Sequence, residues 1–313
     1  MTSTTMRDAF FDRLYQLAWN DRRIMVVAAD MGAPSLDKFR RDLSTQFLNV
    51  GIAEQTMVTI ATGLALSGKK VYTYAIMPFA TLRCYEAIKV NIALMNIAVT
   101  IVGVGTGFSY DDSGPTHHST EDLSVMRALP NMTIYCPSDS LMAARFADLT
   151  YNLNSPCYVR LDRKVLPAVD RKDYDLSSGY RFLLNGENGC LLATGNMAPQ
   201  ALKVARKLHQ AGIRVSVVDI FRLKPLQEKA FVEIAKKAGW VATLEEHLLA
   251  GGLGSAIIEL LTDHQLRVPV KRFGVEDRYL YEYGGRNHIQ NMCGLSPEVI
   301  TMEIKKWVKD LRF

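Results

Sequence analysis

Stretches in which almost every position is apolar alternate along this chain with stretches in which apolar residues recur every three or four positions. Residues 24–30 (IMVVAAD) are apolar and rich in β-branched side chains, the pattern of a strand buried on both faces of a parallel sheet. A helix is predicted before it, over residues 7–20. Residues 47–50 read as a short strand running into Gly51. A helix follows over residues 52–66, with Ile52, Met57, Ile60 and Leu64 on a helical period and Gly68 as its stop. Strands 71–76, 98–104, 133–136 and 158–161, with a helix over 82–95, continue the alternation.

After Arg163 the pattern breaks. Pro167, several aspartates and Ser177-Ser178-Gly179 suggest a surface linker. A second alternating unit then follows, with strands 190–194, 215–220 and 240–244 and helices 198–210, 253–261 and 298–310. Strand–helix alternation with short connections implies parallel sheets clothed by helices. The expected fold is therefore α/β with two domains, residues 1–163 and 188–313, joined by a linker over 164–187.

Composition narrows the picture. Hydrophobic residues make up 48% and charged residues 22%, a balance typical of a globular protein, and a chain of 313 residues can bury a large core. The net charge of +5 comes from 37 basic and 32 acidic residues without the dense basic clusters of a nucleic-acid groove, so no nucleic-acid partner is expected. Five scattered cysteines form neither a metal-binding spacing nor a disulfide framework. The most apolar stretch, 92–108, is broken by Asn96 and three glycines and reads as a helix end and a buried strand, not a membrane span. With no apolar signal core near Met1, the expected location is the cytoplasm.

Three segments are candidates for chemistry. In Asn49-Val50-Gly51-Ile52-Ala53-Glu54-Gln55, a carboxylate stands just after a strand–glycine turn, where ligands bind in parallel α/β sheets. Glu54 equally suits a helix N-terminus, which favours negative charge. In Ser113-Gly114-Pro115-Thr116-His117-His118, a turn presents two histidines suited to proton transfer. Metal binding there lacks supporting Asp, Glu or Cys spacing, and a purely structural loop is the alternative. Gly251-Gly252-Leu253-Gly254-Ser255 opens a helix that is placed to cradle a phosphate, or simply packs closely. No metal site is expected in this chain.

Together these segments resemble the transketolase family, over its pyrimidine-binding domain and the domain that follows it. The resemblance spans nearly the whole chain. It rests on Gly51 to Gln55 (GIAEQ), Arg83-Cys84-Tyr85-Glu86, Gly114 to His117 (GPTH), Leu129-Pro130-Asn131-Met132, Ala193-Thr194-Gly195, Leu223-Lys224-Pro225, Glu245-Glu246-His247 and Gly251 to Ser255. It implies thiamine diphosphate as cofactor and transfer of a two-carbon ketol unit between sugars or sugar phosphates. Glu54 matches the buried glutamate that bonds the aminopyrimidine ring nitrogen, for which burial would have to raise its pKa against the pull of the helix N-terminus. His117 matches the histidine that contacts sugar oxygens. Asp30-Met31 resembles the pair that ends the first strand, with Met31 wedged beneath the cofactor. For the aromatic that stacks on the pyrimidine, a gapless count from Glu54 favours Met77, whereas a one-residue shift favours Phe79, which has the required π-face. Arg83 falls in the matching cofactor segment.

The same resemblance assigns Arg7, Ser35 and Arg163 to a substrate phosphate. Two departures touch the substrate: the family's phosphate-contacting histidine is Gly105 here, and its hydroxyl-reading acid is Ser113. No GDG segment is present, which is where family members hold the diphosphate and its metal. The implied arrangement is a split enzyme. A partner N-terminal transketolase subunit would bring the Mg2+ or Ca2+ and diphosphate site, and two copies of this chain would pair within a heterotetramer. A β subunit of a 2-oxoacid dehydrogenase, a 1-deoxyxylulose-5-phosphate synthase-like half and a non-catalytic partner-binding paralogue are the alternatives.

Overall fold

A computed structural model describes residues 4–169 and 174–311, so residues 170–173 of the expected linker and the extreme ends of the chain lie outside the described residues. The first sheet has seven strands: β1 (Ile24–Ala28), β2 (Phe47–Asn49), β3 (Lys70–Ile76), β4 (Val99–Val104), β5 (Thr133–Tyr135), β6 (Cys157–Leu161) and β10 (Arg222–Lys224). Their order is β10-β5-β6-β4-β3-β1-β2, all parallel except β10. The second sheet takes β7 (Tyr180–Leu184), β8 (Gly189–Ala193), β9 (Val215–Ile220), β11 (Val241–Leu248) and β12 (Val270–Val275) in the order β12-β11-β8-β9-β7, with β7 antiparallel to β9.

Alternation along the buried strands explains the layering, since successive side chains point to opposite faces. Val26, Ala28, Tyr72, Tyr74, Val102 and Val104 face α1 (Met6–Asn20), α2 (Pro34–Asp42) and α7 (Ser140–Tyr151). Val27, Val71, Ala75, Val99 and Ile101 face α3 (Glu54–Leu66), α4 (Met77–Thr81), α5 (Tyr85–Ala87), the π-helix Ile88–Leu94 and α6 (Asp122–Arg127). This second core runs on into the other domain, through Cys190, Leu192, Val218 and Leu223 to α9 (Glu228–Lys237) and α10 (Leu253–Asp263). The far face of the second sheet is covered by α8 (Met197–Gln210) and α12 (Pro297–Asp310), with α11 (Arg286–Met292) beside them.

The two α/β domains with mainly parallel sheets agree with the sequence reading, while several elements differ from it or were not predicted by it. The stretch read as a surface linker holds β7, a short antiparallel edge strand of mixed burial whose alternation is too weak to show in one sequence. The helix expected over residues 82–95 is formed, after a turn at 82–84, by α5 and the π-helix, and a separate short helix, α4, precedes it, with Pro78 in a first turn where its missing N–H costs nothing. Strand β1 ends at Ala28 instead of running to residue 30, because Asp30 turns to φ 49° and its N–H bonds the Asn49 side chain at 3.0 Å. Strand β10 lies beyond the second domain's β9, yet it pairs back onto β5 and closes the first sheet's edge. Among the described residues no helix is long and apolar enough to cross a membrane.

Candidate active site

The site collects at the carboxyl ends of the parallel strands, where α/β sheets bind ligands. The Asn49 side chain organises the first corner. Its Oδ1 accepts from the N–H groups of Asp30 and Gly51, at 3.0 and 3.1 Å, and its Nδ2 donates to Asp30 Oδ1 at 3.2 Å. This clamp fixes the turn that delivers Glu54 as the first residue of α3. Asp30 is exposed at the rim, and Met31 is half-buried against α2 and α1.

Glu54 is only 3% exposed, and its Oε2 accepts from Arg83 Nη1 at 2.8 Å. The Arg83 guanidinium lies 4.1 Å from the Phe79 ring centroid. Phe79 in turn meets His117 edge-to-face, with ring centroids 5.2 Å apart, and His117 lies 5.8 Å from the Tyr110 ring. The guanidinium of Arg163 sits 4.2 Å over the other end of this row, at Tyr110. Glu54, Arg83, Phe79, His117 and Arg163 are thus brought into one continuous line of contacts. Met77 is not part of it: it is fully buried in the core and presents no face to the cleft.

Two of the expected phosphate ligands, Arg7 and Ser35, come together around Asp8, an acid that the sequence did not single out. Asp8 accepts from Arg7 Nε and Nη2 at 3.1 and 3.0 Å, from Ser35 Oγ at 3.2 Å and from Thr5 Oγ1 at 2.7 Å. Burial pushes the Asp8 carboxyl up, but the Arg7 guanidinium and the two hydroxyls outweigh it and hold the group below its ordinary range. Arg163 donates to Asp112 Oδ2 at 3.3 Å, and Ser113 Oγ donates to Asp112 Oδ1 at 3.0 Å. Arg7, Ser35, Ser113 and Arg163 therefore all have acidic partners. The glycine at position 105 follows from Tyr110: a Cβ there would stand 2.3 Å from that ring, so Tyr110 fills the space of a residue-105 side chain.

The two adjacent histidines diverge. His117 Nδ1 lies 2.9 Å from Thr116 Oγ1 and its ring lines the cleft. His118 is buried edge-on against Phe108 at 5.1 Å, and burial holds its pKa below the usual histidine value. Among the described residues no three His, Cys, Asp or Glu side chains gather as metal ligands.

The acidic segment of the second domain proves to be capping and anchoring machinery. Glu245 accepts from the N–H groups of Leu253 and Gly254 at 2.6 and 2.8 Å, so the N-terminus of α10 holds a carboxylate of the chain itself and not a phosphate. A Cβ on Gly252 would lie 2.0 Å from Glu245 Oε2, which accounts for glycine there. His247 Nε2 accepts from Leu123 and Ser124 N–H at 3.2 and 3.4 Å across the domain boundary. Burial pushes Glu245 up to about 7 and His247 down to about 4. Glu246 gathers Arg286, Gln290 at 2.6 Å, Asn196 at 3.1 Å and the N–H of Phe108 at 3.2 Å, in the loop that carries His117. Nothing in the periodicity of the sequence marks Arg286; the Gly284-Gly285 pair before it was the available signal.

Comparison with known proteins finds relatives of both domains. The family described as "Transketolase, pyrimidine binding domain" matches residues 2–169, and "Transketolase, C-terminal domain" matches residues 181–300. The chain is 34% identical to a subunit of the apulose-4-phosphate transketolase of Phocaeicola vulgatus, over 97% of both chains. It is 35% identical to the 6-deoxy-6-sulfo-D-fructose transketolase subunit SqwH of a Clostridium species, over 94% of this chain and 92% of that one. It is also 32% identical to half of the 1-deoxy-D-xylulose-5-phosphate synthase of Caldanaerobacter subterraneus, matching 97% of this chain and 49% of the longer one. A solved split-gene transketolase, an inactive β4 tetramer, superposes with a TM-score of 0.87 at 30% identity, covering 98% of this chain and 99% of that one. By both of its domains and by relatives aligned along nearly its whole length, the chain belongs to the transketolase family.

Proposed function

We propose that this chain is the pyrimidine-holding subunit of a two-component, thiamine diphosphate-dependent transketolase that moves a two-carbon ketol unit between sugars. The observation that carries the reading is Glu54: a buried carboxylate at a strand end, in line with an aromatic face at Phe79 and an imidazole at His117. This constellation fits an aminopyrimidine ring, which needs a carboxyl partner and a flat apolar neighbour. Glu54 and Phe79 would hold the ring, with Asp30 and Met31 at the rim of the same cleft. The cofactor supplies the electron sink for carbon–carbon cleavage.

The roles at the ring nitrogen and at the sugar fall to side chains of this chain. Glu54 holds and moves a proton at the ring nitrogen, within a site that excludes water from one side. His117 orients sugar oxygens. The tail of the substrate reaches Arg7, Ser35 and Arg163, and its anion, where it has one, competes with Asp8 and Asp112 for the guanidinium groups. Guanidinium suits both phosphate and sulfonate oxygens.

The diphosphate and its Mg2+ or Ca2+ belong to a partner N-terminal transketolase subunit, in line with relatives that are themselves named as subunits. Ile52, two residues before Glu54, is 77% exposed, and Leu82 beside Arg83 is also exposed, so apolar surface stands ready at the mouth of the site. Large permanent interfaces of this kind bury roughly 2,000 Å² or more. A heterotetramer with two copies of each chain would cover this surface and pair the two copies of this chain, and the cytoplasm is the location proposed for it. The test is to mix this chain with candidate partners carrying a diphosphate-binding segment, add thiamine diphosphate and Mg2+, and assay ketol transfer over a panel of free, phosphorylated and sulfonated ketoses. Transfer from at least one donor is expected; cofactor-loaded complexes that transfer from none would overturn the reading.

A further inference from the structure

We infer that Arg83 is a placeholder in the ring site, making with its own guanidinium the contacts to Glu54 and Phe79 that the aminopyrimidine makes on entry, and withdrawing when it arrives. The inference rests on the thiamine diphosphate reading above. A guanidinium is flat, carries N–H donors in its plane and stacks on aromatic faces. Here it donates to Glu54 Oε2 at 2.8 Å while lying 4.1 Å from the Phe79 centroid. A ring that bonded Glu54 and stacked beside Phe79 would claim the same carboxylate and the same neighbour.

The arrangement is asymmetric in a way that suits a removable plug. Glu54 is 3% exposed, whereas the Arg83 side chain is 45% exposed, so the arginine reaches inward from solvent on a flexible stem. Among the described residues its guanidinium makes no other side-chain hydrogen bond. An unpaired buried carboxylate is costly, so the pair stabilises the empty site. A half-exposed pair is also weak enough to be exchanged for a ligand. Leu82 and Cys84 flank it differently: Leu82 is exposed and Cys84 is buried, so in this chain before its partner docks residue 83 sits at a margin where a swing outward meets solvent.

The test uses the full chain and the neutral ring fragment 4-amino-5-hydroxymethyl-2-methylpyrimidine, titrated by ligand-observed NMR. Arg83→Gln and Arg83→Met are compared with wild type, and Phe79→Ala serves as the control for binding in this site. Removing the competing pair is expected to tighten binding by at least about threefold in both Arg83 variants, the scale of a partly exposed ion pair, and Phe79→Ala is expected to abolish it. Binding to wild type that is unchanged or weakened in the Arg83 variants overturns the displacement, weakened binding making Arg83 a direct ring contact, and either result leaves the cofactor reading intact. Absence of binding by wild type and by both Arg83 variants overturns the cofactor reading together with the displacement.

Discussion

Arg286 Nη1 donates to Asp162 Oδ2 at 2.6 Å, although the two residues are 124 positions apart and belong to different domains. The same guanidinium donates through Nη2 to Glu246 Oε2 at 2.6 Å and to the carbonyl of Thr106 at 3.2 Å. Burial pushes Asp162 up, but the neighbouring Arg286 charge and the Thr106 hydroxyl hold it below its ordinary range. The loop that presents His117 is therefore anchored, through Thr106 and Phe108, to a buried ionic centre made largely by the second domain. That domain lends no side chain to the line from Glu54 to Arg163, yet it fixes where one end of that line stands.

Arg286→Met should be severely destabilising. It leaves the carboxylates of Asp162 and Glu246 buried without their cation, and breaking a buried pair in this way costs about 3–5 kcal/mol. Urea denaturation followed by circular dichroism measures it; a loss below about 1 kcal/mol would show that the centre contributes little to stability.

The interdomain cap at His247 makes stability depend on pH. Burial lowers its pKa from 6.5 to about 4. Below pH 6.5 the unfolded chain takes up a proton that the folded chain refuses. The contribution of this group is thus complete above that pH and is lost as pH falls towards 4. His247→Gln keeps an acceptor for Leu123 and Ser124 N–H without titrating. Relative to this variant, wild type should lose up to about 3 kcal/mol between pH 6.5 and 4. Glu245, pushed up to about 7, shifts stability in the opposite sense as pH rises, and does so in both proteins. Parallel pH profiles for the two proteins would contradict the assignment.

Glu54→Gln should leave fold and assembly intact, because the side chains are nearly isosteric, while removing a proton-transferring group. In the complex with its partner, turnover should fall by roughly 10²–10⁴-fold, with cofactor affinity changed far less. Hydrogen exchange at the thiazolium carbon, followed by NMR, reads the step directly. Exchange as fast as in wild type would remove Glu54 from the role proposed for it.

His117→Ala should act at the sugar. Ketol transfer is expected to slow while thiazolium exchange stays within about twofold of wild type, since exchange lacks the general acid–base contribution of this residue. A matching loss of exchange would mean that His117 serves the cofactor and not the substrate.

The sequence by itself determined the two-domain α/β plan, because strands buried on both faces need nearly continuous apolar runs and their covering helices need a 3.6-residue period. It also singled out Glu54 and His117 as candidates, since each sits in a short local motif. Only the tertiary structure showed that Met77 is buried in the core while Phe79 meets Arg83 and His117, because that depends on which way a single helical turn begun at Met77 faces. Only the structure, too, showed Asp8 holding Arg7 and Ser35, Tyr110 filling the space beside Gly105, and Glu245 occupying the helix terminus that the glycines had suggested for a phosphate. Strand β10 returning to the first sheet and Arg286 bridging the domains belong with these. Each is a contact between segments far apart in the chain, and its energy comes from pairing charges, rings or backbone groups that no local periodicity records.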